Sequence, residues 1–222
     1  MIEGRFDLTF EQLPKTLPVF PLSGVLLLPR APLPLNIFEP RYLNMTRDAM
    51  GAERMIGMIQ PTVPEKHSPD DRPEMYTTGC AGRITSFTET KDDRYLITLT
   101  GVCRFDVVDE LPVMNGYRRV VASYDRYRGD LEGESAAGID CDRLLAALKA
   151  YLKVKDFQAD WDAIDQTPDE CLVTALAMTC PFAPSEKQVL LESPNLIERS
   201  RVMTTLFEMA ALDRGGASQL RH

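Results

Sequence analysis

At 222 residues and 44% apolar composition, the chain is long enough to bury a sizeable core, as one large domain or two small ones packed together. Its net charge of −8 argues against indiscriminate binding to nucleic acid or to an anionic membrane. The charge is uneven: residues 1–130 hold 16 basic against 18 acidic residues, and residues 131–222 hold 9 against 15.

The first apolar segment, Leu17-Pro-Val-Phe-Pro-Leu-Ser-Gly-Val-Leu-Leu-Leu-Pro29, is broken by Pro18, Pro21 and Pro29, and Pro32 and Pro34 follow. A secretory or membrane-spanning helix needs an unbroken apolar run, so these short runs predict brief, buried strands instead. Phe38-Glu-Pro-Arg-Tyr42 predicts a helix start, with Pro40 at the first position and the Glu39 carboxylate at the positive end. Tyr42, Met45, Thr46, Ala49 and Met50 share its inner face, and Gly51 stops it. Arg54–Gln60 is continuously apolar and predicts a strand covered on both faces. Gln60–Met75, with Pro61, Pro64, Pro69 and Pro73, is a loop.

Tyr76–Glu89 predicts a strand whose Gly79 and Gly82 mark a bulge or a close backbone approach. Lys91–Arg94 is a hairpin tip, after which Tyr95–Thr100 resumes β-branched and apolar content. Gly101 is expected to turn the chain into a further strand over Cys103–Asp109, and Tyr117–Arg128 predicts one more long strand. Gly129–Gly138 is a Gly/acidic linker. Beyond it the apolar period changes from two to 3.6: Leu144, Leu145, Leu148, Tyr151 and Leu152 share a helix face ending near Lys155. Helices starting at Thr167-Pro168, Ser185 and Ser193-Pro194 follow, the last burying Leu196, Met203, Leu206, Phe207 and Ala210 and fraying at Gly215-Gly216. Strands first and helices afterwards predict an α+β protein, with a β-rich part over 1–130 and a helical part over 131–222.

Leu17-Pro-Val-Phe-Pro-Leu22, Phe38-Glu-Pro-Arg-Tyr42, Gly101-Val-Cys-Arg-Phe105 and Glu186–Glu192 occur in the order found in the N-terminal substrate-binding domain of Lon proteases. The chain resembles that family, especially its stand-alone bacterial members. The resemblance implies a PUA-like β pseudo-barrel followed by a helical bundle, and a role in binding protein or peptide.

Catalytic chemistry is not expected. No glycine is followed by lysine, so the phosphate-cradling Gly-Lys-Ser/Thr of an ATPase is missing. The two histidines, His67 and His222, cannot furnish a zinc site or an anchored Cys–His pair. The five cysteines include no Cys-x-x-Cys pair and read as reduced, buried thiols of a cytoplasmic protein. No metal, cofactor or membrane is implied.

Two surfaces are candidates for binding. Phe38, Arg41, Tyr42 and Met45, with Arg104, combine aromatic, flexible apolar and bidentate cationic groups suited to an extended peptide; helix initiation, core packing and an ion pair at the barrel rim are the structural alternatives. Arg118, Arg119, Arg126 and Arg128 interleave with tyrosines in a pattern that suits stacking on RNA, or else lie on a half-exposed strand. The main expectation is a non-enzymatic module that binds unfolded or extended polypeptide, or that serves as an adaptor for a separate protease or chaperone. RNA binding is the alternative.

Overall fold

A computed structural model of the protein describes residues 8–63, 73–133 and 135–218, with side chains as far as Leu212. His67, His222, Asp70-Asp71 and most of the expected 60–75 loop lie outside the described residues. The chain divides into two compact units, Met1–Gly133 and Glu134–His222. No helix of the described residues is long and apolar enough to cross a membrane.

The first unit holds six strands: β1 (Thr16–Pro21), β2 (Pro32–Ile37), β3 (Met55–Ile59), β4 (Thr78–Glu89), β5 (Tyr95–Met114) and β6 (Tyr117–Ser123). Helix α1 (Pro40–Met50) lies between β2 and β3, with Glu39 as its N-cap residue and Gly51 as its C-cap. The sheet order is β2-β5-β4-β3-β1-β6, and β5 pairs also with β6, which closes five strands into a pseudo-barrel and leaves β2 on an edge.

β5 makes this closure possible. It is 20 residues long, and Gly101 sits inside it rather than at a turn, contrary to the expected break. Its first half pairs with β4 down to Thr78↔Asp106, and from Asp106↔Ser123 onward it pairs with β6. A Cβ at Gly101 would lie 2.0 Å from the Leu28 carbonyl oxygen, so glycine is there for close backbone approach, and the Arg30 N–H donates to the Gly101 carbonyl. The register of β4 against β5 shifts between Ala81 and Gly82, where the sequence places a bulge. Inside the barrel, Leu17, Val19, Met55, Ala81, Cys103, Phe105, Val120 and Tyr124 form one core cluster. Gly57 and Gly79 make room for the Phe105 ring: a Cβ at either would come within 3.0 Å of it.

β6 ends at Ser123, five residues before the expected end, and the chain continues as a 3-10 helix over Asp125–Leu131. Tyr124 and Tyr127 are both buried, and Leu131 packs against the same core. Their spacing of three and four residues is helical, which is why the strand alternation fails there.

The second unit holds α2 (Cys141–Lys155), α3 (Trp161–Asp165), α4 (Asp169–Thr179), α5 (Pro184–Glu192) and α6 (Leu196–Ser218). The fold is therefore α+β, with strands and helices segregated along the chain. Tyr151 of α2, Phe182 and Phe207 of α6 stack with ring centroids 4.8 to 6.1 Å apart. Three helix starts differ in detail from those read in the sequence. The Thr167 hydroxyl donates back to the Ala163 carbonyl instead of capping α4. At α5 the carboxylate of Glu186 accepts from the Ala183 N–H, and at α6 the Asn195 side chain accepts from the Glu198 N–H. The backbone of α6 stays helical through Gly215-Gly216 to Ser218.

Candidate functional site

The motif residues near the N-terminus turn out to pack on one another. Phe20 and Tyr42 stack with ring centroids 4.1 Å apart, which ties the Leu-Pro-Val-Phe-Pro-Leu strand to the start of α1. Arg41 donates from Nε to the Glu39 carboxylate at 2.9 Å, and its guanidinium stands 4.6 Å from the Tyr42 ring centroid. Pro40 opens the helix. The far end of α1 is pinned by Asp48, which accepts from the Tyr117 hydroxyl at 2.8 Å and from the Asn115 amide at 2.9 Å. Burial, and then the bond to Asp48, push the Tyr117 phenol up to about 12. Tyr42 and Met45 are buried, the latter completely, so these two candidate peptide contacts belong to the core.

Arg104 forms an ion pair, as one of the structural alternatives had it, but the pair is buried. Only 2% exposed, Arg104 gives Nη2 to Asp130 Oδ1 at 2.6 Å and Nε to Oδ2 at 2.9 Å, while its own backbone N–H also donates to Oδ2. The Tyr127 ring lies 4.5 Å from its guanidinium carbon. Gly101-Val-Cys-Arg-Phe105 is thus a structural device. Its glycine admits the Leu28 carbonyl, its arginine clasps the 3-10 helix through Asp130, and its phenylalanine fills the barrel.

The arginines proposed for RNA do not form a strip. Arg118 makes a two-pronged contact with Glu110 at 2.7 and 2.6 Å and donates to the Pro73 carbonyl. Arg119 donates to the Pro112 carbonyl. Arg126 lies 4.0 Å from Asp106 and 5.1 Å from the Tyr127 ring, and Arg128 covers Phe10 at 3.7 Å. Tyr117, Tyr124 and Tyr127, the rings that would stack on bases, are all buried. The cause is the early end of β6, which folds the second half of the segment into the core.

Phe38 of the Phe-Glu-Pro-Arg-Tyr motif faces solvent outright, at 59% exposed. Ile37, beside it, pairs with Tyr95, and the Arg94 guanidinium stands 5.7 Å from the Phe38 ring. Two residues along β5 from Arg94, Leu96 is 47% exposed, between Asn36 of β2 and Thr88 of β4. Phe38 and Leu96 therefore offer apolar surface at the end of β2, with Arg94 over the Phe38 ring. The sequence signal for Leu96 was its alternation with buried Tyr95 and Ile97. Pro32 and Pro34 lack N–H groups and blunt the free edge of β2 against strand addition, so recognition here falls to side chains.

Burial holds the Cys103 thiol up at about 12, and Cys141 and Cys180 at about 11, so these thiols stay protonated near neutrality. The expectation of five buried thiols is corrected at Cys171, which is exposed, and Cys141, which is partly so. Among the described residues, no group of three or more His, Cys, Asp or Glu side chains is placed to hold a metal ion.

Residues 16–208 match the family model of the ATP-dependent protease La (LON) substrate-binding domain. The chain is 25% identical over 199 residues to Lon protease 2 of Myxococcus xanthus, which covers 88% of this chain and 24% of that protein. A Lon protease of Anaeromyxobacter dehalogenans matches at the same identity, over 88% of this chain and 23% of its own length. The chain thus spans about a quarter of the length of these curated relatives. In fold it is similar to the crystal structure of a Lon N-terminal domain protein from Xanthomonas campestris, with TM-score 0.58 and 24% identity over 86% of this chain and 97% of that one. It is likewise similar to the N-terminal domain of the Mycobacterium avium complex Lon protease, with TM-score 0.55 and 16% identity over 87% and 98% of the two chains.

Proposed function

This chain belongs to the Lon substrate-binding domain family, and we propose that it binds unfolded or extended polypeptide non-enzymatically through the apolar surface around Phe38. On this reading it works in the cytoplasm, either presenting clients itself or acting as an adaptor for a separate protease or chaperone. The observation that carries the proposal is the exposure of Phe38 within a motif whose other members are engaged. Glu39 and Pro40 start the helix, Arg41 is held by Glu39, and Tyr42 packs on Phe20. A large aromatic ring left in solvent beside a second exposed hydrophobe supports this reading.

Covering a ring this exposed removes on the order of 100 Å² of apolar surface, about 2.5 kcal/mol at roughly 25 cal/mol per Å². Such a contact supports weak, sequence-tolerant binding once ordering costs are met. The test is titration of a permanently unfolded client, such as a reduced and carboxymethylated protein, against the parent chain and Phe38→Ser. The variant is expected to bind about tenfold more weakly or worse, with its melting temperature unchanged. Equal binding by both proteins would remove Phe38 from the site.

A further inference from the structure

The helical unit carries an open depression where α2 ends. Asp156 takes a left-handed conformation (φ 58°), and the Phe157 N–H donates to the Leu152 carbonyl at 3.0 Å. This reversal brings residues 157–161 back along the last turns of the helix. An open depression of about 450 Å³ results, lined by Lys149, Leu152, Lys153, Phe157 and Trp161 among others. Phe157 is 51% exposed, and the Lys149 ammonium lies 4.9 Å from the Trp161 ring centroid. Lys149 and Lys153 are four residues apart and so share one helix face.

The charge of this depression runs against that of its surroundings. Residues 131–222 hold 9 basic and 15 acidic residues. Among their described cations, Arg143 pairs with Glu208, Arg201 pairs with Glu198, and Lys187 and Arg199 are buried. The exposed cations without a carboxylate partner among the described residues are Lys149, Lys153 and Lys155, and the first two are the charged groups of the lining. Asp156 and Asp160 adjoin the depression in sequence but do not line it, and the Asp160 carboxylate already accepts the Ala163 N–H.

We propose that this depression binds a short acidic peptide segment of another protein, seating one large apolar side chain against Leu152, Phe157 and Trp161 while flanking Asp or Glu side chains meet Lys149 and Lys153. Two lysines amid aspartates favour a ligand with a few negative charges over a long polyanion, which the acidic unit repels. The site lies wholly within the helical unit and stands independently of the Phe38 surface.

Trp161 is the chain's single tryptophan, so its emission reports on this site in the full-length protein. The probe is a capped pentapeptide with phenylalanine at its centre and two acidic residues on each side. It is titrated beside versions in which amides or lysines replace the acids. A saturable change in Trp161 emission is expected with the acidic peptide, about tenfold weaker with the amide version and weakened further by salt. Lys149→Glu/Lys153→Glu, which alters only exposed side chains, should reverse the preference toward the lysine peptide. Phe38→Ser should leave the response intact, which separates this site from the β-unit surface. Equal response to acidic and amide peptides, no saturable response, or an acidic preference that survives the charge reversal would each overturn the proposal. So would emission that changes with protein concentration alone, which would put a second copy of the chain in the depression.

Discussion

Removing the Asp130 carboxylate is the most informative single perturbation of the β unit. Arg104 and Asp130 are 2% and 4% exposed, and the carboxylate accepts three kinds of bond from one residue: from Nε, from Nη2 and from the backbone N–H. Asp130→Ala removes the carboxylate that these three donors of Arg104 share, beside the buried Tyr127 ring, and loss of one partner of a buried pair costs about 3–5 kcal/mol. For a unit of this size that is a fall of roughly 10–25 °C in melting temperature. The double variant Arg104→Met/Asp130→Asn removes both buried charges and keeps an acceptor for the backbone N–H at position 104. It should therefore be more stable than Asp130→Ala, within about 2 kcal/mol of the parent. Urea denaturation followed by far-ultraviolet circular dichroism gives both values. A loss under about 1 kcal/mol for Asp130→Ala, or a double variant no better than the single, would refute the assignment of the pair as the clasp on the 3-10 helix.

Two further outcomes follow from the same unit. Gly101→Ala would force a Cβ to within 2.0 Å of the Leu28 carbonyl oxygen, a backbone atom, and should destabilise by about 3 kcal/mol or more, whereas Gly129→Ala, with nothing within 4 Å, should stay within about 0.5 kcal/mol; paired melting curves decide it. In thiol labelling of the native protein at pH 8, exposed Cys171 should react first and Cys103 only on unfolding. Because burial raises the Cys103 thiol from 9.0 to about 12, its contribution to stability is complete below pH 9 and is lost as pH rises toward 12; labelling of Cys103 as fast as Cys171, or stability that climbs across that range, would contradict its burial.

The strands and long helices were legible because their signals are local. β3 is apolar at every position and is buried at every position. α1 begins at Pro40 and stops before Gly51, and α2 ends at Lys155 where its periodicity lapses. The failures at Gly101 and Arg104 were tertiary. Gly101 reads as a turn until the Leu28 carbonyl is seen against it, 73 positions away in the chain. Arg104 reads as a rim cation until Asp130 is found, 26 residues on and in a segment whose composition reads as the edge of a linker. The Tyr124, Tyr127, Leu131 spacing was a helical signal present in the sequence, but the alternation of the preceding strand ran into it and hid the change of period.

The same distinction bears on where binding resides. Short motifs draw the eye to every residue they contain, yet several of the motif residues here hold the fold in place. Phe20 stacks on Tyr42, Glu39 holds Arg41, Gly57 and Gly79 admit Phe105, and Arg104 clasps Asp130. A large apolar side chain that stays exposed to water is available for contact with a partner. By that criterion Phe38 stands apart from Tyr42, Met45 and Arg104, and Phe157 stands apart from the buried Tyr151, Phe182 and Phe207 of the helical unit. Substitution at the engaged positions should therefore lower stability and ligand binding together, whereas substitution at Phe38 or Phe157 should lower binding alone.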